Sequence, residues 1–234
     1  MSDKRGFTLV EILVALGIGA IMLAAIYSMV NLSQNTSSGV ERRVTAQQDE
    51  KTALELMAME IGMASYNSFL TNIWVDPANC TALSANQTYK GIQVATANSI
   101  TIEMDINDNG SIGDANEIIS YNYDAGNLYI TRETNCGGAQ PFLGDTAASG
   151  NTRNVRVING DASIYNPVIP VFRYFDGDGI EIFPTAANPA PIPNIRRIEI
   201  TLAVETENPD LNNGQRKRMV YSTSVIVRNH VPAM

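Results

Sequence analysis

The sequence predicts an α+β protein. A long N-terminal helix spans a membrane with its first half and packs an amphipathic second half on an antiparallel β-sheet head. Three observations carry this. In residues 7–30, nineteen of 24 positions are apolar and Glu11 is the single charge. From Val40 onward apolar residues recur at three- and four-residue steps, the spacing of one helix face. After Pro77 the period changes to two, as in half-buried strands.

The apolar run comes first. A helix of 24 residues is about 36 Å long, against a bilayer core of about 30 Å. Ile12 to Val40 contains no charge. Lys4 and Arg5 precede the run, and Arg42 and Arg43 follow more than ten residues beyond it, so positive charge near the membrane favours a cytoplasmic N-terminus. A secretory signal has a shorter apolar core and a small-x-small cleavage site; no A-x-A occurs in the first fifty residues. Glu11 is the anomaly. A carboxylate in a span costs roughly 2–4 kcal/mol on insertion scales. It either snorkels to the nearby surface or waits for a counter-charge in an assembly. Gly17 and Gly19 allow close helix packing or local loosening, or are simply tolerated in a span.

Residues 31–39 are polar and uncharged, a weak helical stretch or a linker. The periodic residues Val40, Val44, Leu54, Met57, Ile61 and Ala64 then predict helix to about Asn72, with this face on the head. The group Met57, Met59 and Met63 is core filling or a soft partner surface. In the head, Ile100, Ile102 and Met104 alternate with polar residues, and 117–133 reads as a hairpin about the turn Asp124–Asn127. Val155–Ile158 and Val171–Phe175 are short strands. Ile198, Ile200, Leu202 and Val204 face Met219, Tyr221, Thr223, Val225 and Val227 across a loop at 208–214. The resulting organisation is 1–6, a leader; 7–30, the spanning helix; 31–75, its amphipathic continuation; and 76–234, a β-rich head.

Composition excludes several functions. A net charge of −8 argues against nucleic acid, whose phosphates need clustered cations. His230, near the C-terminus, is the one histidine, which argues against a multi-histidine metal site and a His-centred triad. No G-x-S-x-G, P-loop or C-x-x-C-H motif occurs. The sequence reads as a non-enzyme. Cys80 and Cys136 lie on the side of the membrane expected to be oxidising and read as a disulfide, with two free thiols as the alternative. Closing this loop stabilises by about 4 kcal/mol on the chain-entropy model. Segment 105–117 begins like a calcium loop, with Asp105, Asn107, Asn109 and Gly110 in step, but Glu117 falls one place late and the flanks read as strands. Calcium is the one cofactor suggested, on Asp105, Asn107, Asn109 and Glu117; an Asn/Asp/Gly turn is the alternative.

The segment K-R-G-F-T-L-V-E-I-L-V-A-L, residues 4–16, resembles the processing site of type IV prepilins and type II secretion pseudopilins. It has a short basic leader, Gly6 before the cut, Phe7 after it and Glu11 four residues beyond. The resemblance implies cleavage between Gly6 and Phe7 by a membrane-embedded prepilin peptidase and N-methylation of Phe7. Gly6 has no Cβ, which lets a protease approach the backbone. Cleavage leaves an amine on Phe7 that can pair with Glu11 of a neighbouring subunit, so Glu11 acts as a register device in an apolar filament core. Residues 54–66, 172–179 and 196–202 are similar to minor pilins of the W type and pseudopilins of the J type. The central cysteine pair and the long chain depart from major pilins and favour a minor subunit. Such a subunit primes assembly with other minor pilins or pseudopilins, the major pilin and the inner-membrane platform. It is held in lipid before assembly, with a cytoplasmic N-terminus and a periplasmic head, and later stands in the filament. A pseudopilus tip subunit, or a tip adhesin using loops 76–90 and 134–153, is the other reading; loops of this kind often carry recognition.

Overall fold

The computed structural model describes Gly6, residues 8–69, 71–144 and 153–230. It is α+β. One helix, α1 (Leu9–Gly62), runs unbroken for 54 residues, about 80 Å at the α-helical rise. The polar stretch 31–39 is therefore helix and not a linker. It contains no proline, and Thr36 turns its hydroxyl onto the Leu32 carbonyl at 2.9 Å, so its polar group is satisfied without breaking the ladder.

The helix predicted to run on to about Asn72, and the amphipathic segment to residue 75, end at Gly62. Met63 caps the helix, and Ser65 turns left-handed at φ 66°. The Ser65 N–H then donates to the Glu103 carbonyl at 2.8 Å. Gly91 makes this possible: a Cβ there would lie 2.3 Å from the Glu103 oxygen and 2.5 Å from the Ser65 nitrogen. A close backbone crossing, set by residues far along the chain, stops the helix.

The expected strands divide into two sheets. The first is a meander of β1 (Ile92–Ala95), β2 (Ser99–Glu103), β3 (Ile118–Asp124), β4 (Tyr129–Thr134) and β5 (Gln140–Leu143), paired in that order. The β3–β4 hairpin closes as expected: Asp124 pairs with Tyr129, and the Asp124 carboxylate accepts the N–H groups of Gly126 and Asn127 at 2.9 and 3.0 Å. The second sheet has the order β10–β9–β7–β8, from β7 (Phe172–Phe175), β8 (Glu181–Ile182), β9 (Arg197–Thr206) and β10 (Arg218–Ile226). The short β6 (Val155–Val157) also pairs with β9. Met219, Tyr221, Thr223 and Val225 register against Val204, Leu202, Ile200 and Ile198, the two apolar faces anticipated from the period of two.

The core lies between α1 and these sheets. Leu54, Met57, Ile61 and Ala64 are buried as expected, but Val40 and Val44 are exposed. Their places on the packed face are taken by Ala46, Glu50 and Ala53. The methionine group divides: Met57 fills the core, while Met59 and Met63 face out. Polar ties fasten the helix laterally. Arg132 from β4 grips Glu60 of α1 with two hydrogen bonds, 3.0 and 2.7 Å, and the Tyr121 hydroxyl of β3 donates to the same carboxylate. The β9–β10 loop reaches back along the helix, where Arg42 donates to the Pro209 carbonyl at 3.2 Å and Asn212 to Thr36 at 3.3 Å.

Candidate functional site

The N-terminal segment is built on the start of α1. Gly6 is exposed and outside any regular element. Phe7 and the leader residues 1–5 lie outside the described residues. Thr8 is the N-cap, extended at φ −78° and ψ 153°. Its hydroxyl receives the Glu11 N–H at 3.3 Å, and the Glu11 carboxylate receives the Thr8 N–H and the Thr8 hydroxyl at 2.8 Å each. This reciprocal capping box satisfies donors that a helix start leaves without partners. It answers the anomaly of Glu11. The acid sits at the third helical position, where a carboxylate meets free N–H groups and the positive end of the helix dipole. Thr8 was missed as a site residue, although the spacing T-x-x-E at 8–11 is a readable signal.

Beyond Glu11 the helix presents its apolar side chains outward on every side. Ile12, Leu13, Leu16, Ile21, Leu23 and Ile26 are exposed, as is Leu9 before Glu11. The helix is long and apolar enough to cross a membrane, and its apolar window is not buried in the head. Gly17 and Gly19 sit within continuous helix, and an added Cβ at either meets nothing within 4 Å. The chain shows no loosening there, and the open space is available to a partner.

Cys80 and Cys136 form a disulfide with Cα atoms 5.9 Å apart. It ties the loop after α1 to the turn between β4 and β5. Beneath that loop lies a small second core of Ile73, Trp74, Val75, Ile112 and Ile118. Loop 76–90 folds back through a bridge between Val75 and Leu83. Of loop 134–153, residues 140–143 form β5, and 145–152 lie outside the described residues.

The suggested calcium residues share one loop, but it closes on itself. Asp105 is fully buried and accepts the N–H groups of Asn109 and Gly110 at 3.1 and 2.9 Å. Glu117 accepts those of Ile106, Gly113 and Asp114 at 3.3, 3.0 and 2.8 Å. The side-chain amides of Asn107 and Asn109 donate to Asp114 at 2.8 and 2.6 Å. Among the described residues no group of three or more His, Cys, Asp or Glu side chains is placed to hold a metal ion.

His230 is buried near the end of α1. Its Nε2 donates to the Ile192 carbonyl at 2.9 Å, which leaves Nδ1 to accept the Ser65 hydroxyl at 2.8 Å. Burial pushes its pKa down to about 4, with Arg196 and Lys90 adding to the effect and the Ile192 bond opposing it. The ring is a neutral structural pin between the segment after β10 and the turn that follows α1, and Ser65 and His230 are both buried.

No curated protein and no solved structure matches the chain. One family model does, and it falls on the segment just described. Residues 1–27 match the prokaryotic N-terminal methylation motif, a type IV pilin-like signal.

Proposed function

We propose that this chain is a minor pilin or pseudopilin, a structural subunit that helps to start or cap a type IV pilus-like filament. The observation that carries this reading is the coincidence of the methylation motif at 1–27 with a helix whose apolar half projects free of the head. In this reading prepilin peptidase cuts between Gly6 and Phe7, Phe7 is N-methylated, and the new amine meets Glu11 of a neighbouring subunit. The self-made cap of Glu11 is the state before assembly; the carboxylate keeps hydrogen-bond donors until a cationic partner arrives. The exposed apolar helix is covered by lipid first and by neighbouring helices afterwards. A pseudopilus tip subunit of the J type fits the same observations. Assembly alongside other minor pilins or pseudopilins, the major pilin and the inner-membrane platform follows from the reading.

Mass spectrometry of the chain co-expressed with prepilin peptidase tests it. The expected product has lost Met1–Gly6 and gained a methyl group on Phe7. Glu11→Ala is expected to be processed normally yet to disappear from the sheared filament fraction. Normal incorporation of that variant would remove the role given to Glu11, and an uncut N-terminus would remove the whole reading. Filaments that assemble but fail to adhere after deletion within loop 76–90 would instead favour the adhesin reading.

A further inference from the structure

Glu50 stands where the helical pattern calls for an apolar residue. It is 0% exposed, on the face of α1 that packs against β9 and β10, with Ala46, Ala53 and Leu54 as its buried helical neighbours. Neither carboxylate oxygen has a hydrogen bond of good geometry; the Tyr221 main-chain N–H acts on the group only weakly, against the larger effect of burial. A buried ionised carboxylate without a partner is costly, and such a group keeps its proton instead.

Among the described residues no cation acts on it. The inner face of β9 offers Ile198, Ile200, Leu202 and Val204, and that of β10 Met219, Tyr221, Thr223 and Val225. Tyr221 is the only titratable group among them, and β5 (Gln140–Leu143) carries no charge. On the helix, Lys51 lies over the Tyr221 ring, 5.6 Å from its centre, and Asp49 accepts from Asn154 at 3.1 Å. Arg42 is turned to Pro209, and in the β9–β10 loop Lys217 and Asp210 pair with each other at 3.6 Å. Burial therefore raises the Glu50 pKa to about 8, with only the Tyr221 main chain opposing it.

We propose that Glu50 is a proton-controlled latch between the helix and the head: protonated, it lets α1 seat on β9 and β10, and loss of its proton favours lifting of the helix from the sheet. The direction follows from linkage. The folded pKa lies above the unfolded value of 4.5, so the seated state holds a proton that the lifted state gives up. Seating is strongest below pH 4.5, weakens steadily as pH rises to about 8, and changes little above that. The proposal does not depend on the filament reading.

Hydrogen exchange of the full chain in detergent micelles tests it. Protection of the amides at 46–57, corrected for the intrinsic rate, is expected to fall about tenfold per pH unit between pH 5 and 7. In Glu50→Gln that slope should vanish. Glu50→Leu, which removes the carboxyl and keeps the apolar contact, should also be flat and keeps the test open if the amide weakens the fold. Glu103 is a necessary control: it too is fully buried, its pKa is raised by burial to about 8, and it lies in β2, outside the contact of α1 with β9 and β10, where its carboxylate accepts the Val75 N–H at 3.0 Å. Glu103→Gln should leave the slope at 46–57 intact. A slope that survives Glu50→Gln and Glu50→Leu, or that disappears in Glu103→Gln, would overturn the proposal.

Discussion

Between Leu9 and Leu32 helix α1 turns its apolar side chains outward; between Ala46 and Ile61 it buries one face, with Ala46, Ala53, Leu54, Met57 and Ile61, against the head and leaves Met59 outside. The backbone is the same continuous helix in both halves. The second half is completed by residues of its own chain: Met57 and Ile61 have no exposure, and Glu60 is held by Arg132 and Tyr121. Among the described residues the first half has no such complement, and an apolar surface of that extent marks contact with a membrane or another protein. Stability should therefore reside in one half and assembly in the other.

The sharpest way to break that comparison is a matched pair of truncations. Met57→Ala is expected to destabilise the head by about 3 kcal/mol, as for other large-to-small changes in a packed core. Leu23→Ala, at a position 70% exposed, should leave thermal unfolding of the head unchanged and act only on incorporation into filaments. Equal losses of stability would refute the division. A smaller effect is expected at the start of the helix. Thr8→Ala removes the N-cap hydroxyl that receives the Glu11 N–H and should cost about 1 kcal/mol locally, read as several-fold faster amide exchange at Glu11 and Ile12 with the head unaffected. The smallest effect concerns whether the head needs anything from outside. The oxygens of Asp105 and Glu117 already accept backbone N–H groups, so millimolar calcium should not move the melting temperature. A clear rise would restore the loop as a cation site.

The features legible in the sequence are those set by neighbours in the chain. The segment from Gly6 to Glu11 is a local pattern, and so are the apolar run, the Asp124–Asn127 turn and the alternation of β9 and β10. The features that escaped depend on residues brought together from a distance. The end of α1 at Gly62 is decided by Gly91 and the Glu103 carbonyl. The division into two sheets is decided by β9 pairing with β10, β7 and β6, which alternation alone cannot express. Val40 and Val44 fit the helical period, yet the head does not cover them. Glu50 breaks that period and is covered. Hydrophobic spacing finds a face but not how far along it the partner surface extends. Thr8 is different: its capping spacing T-x-x-E is local and legible, and the same Glu11 that reads as an unpaired charge is the acid that completes the cap.

The absence of a break between the two halves of α1 has a mechanical consequence. A pull on the N-terminal half is carried along a stiff rod, with no slack segment at 31–39 to take up extension. The ties to the head are spread from Thr36 to Glu60, about 36 Å along the axis. Tension therefore loads them side by side, in shear, rather than one after another as in peeling. A joint loaded in this way shares force among its bonds, so the head travels with the rod.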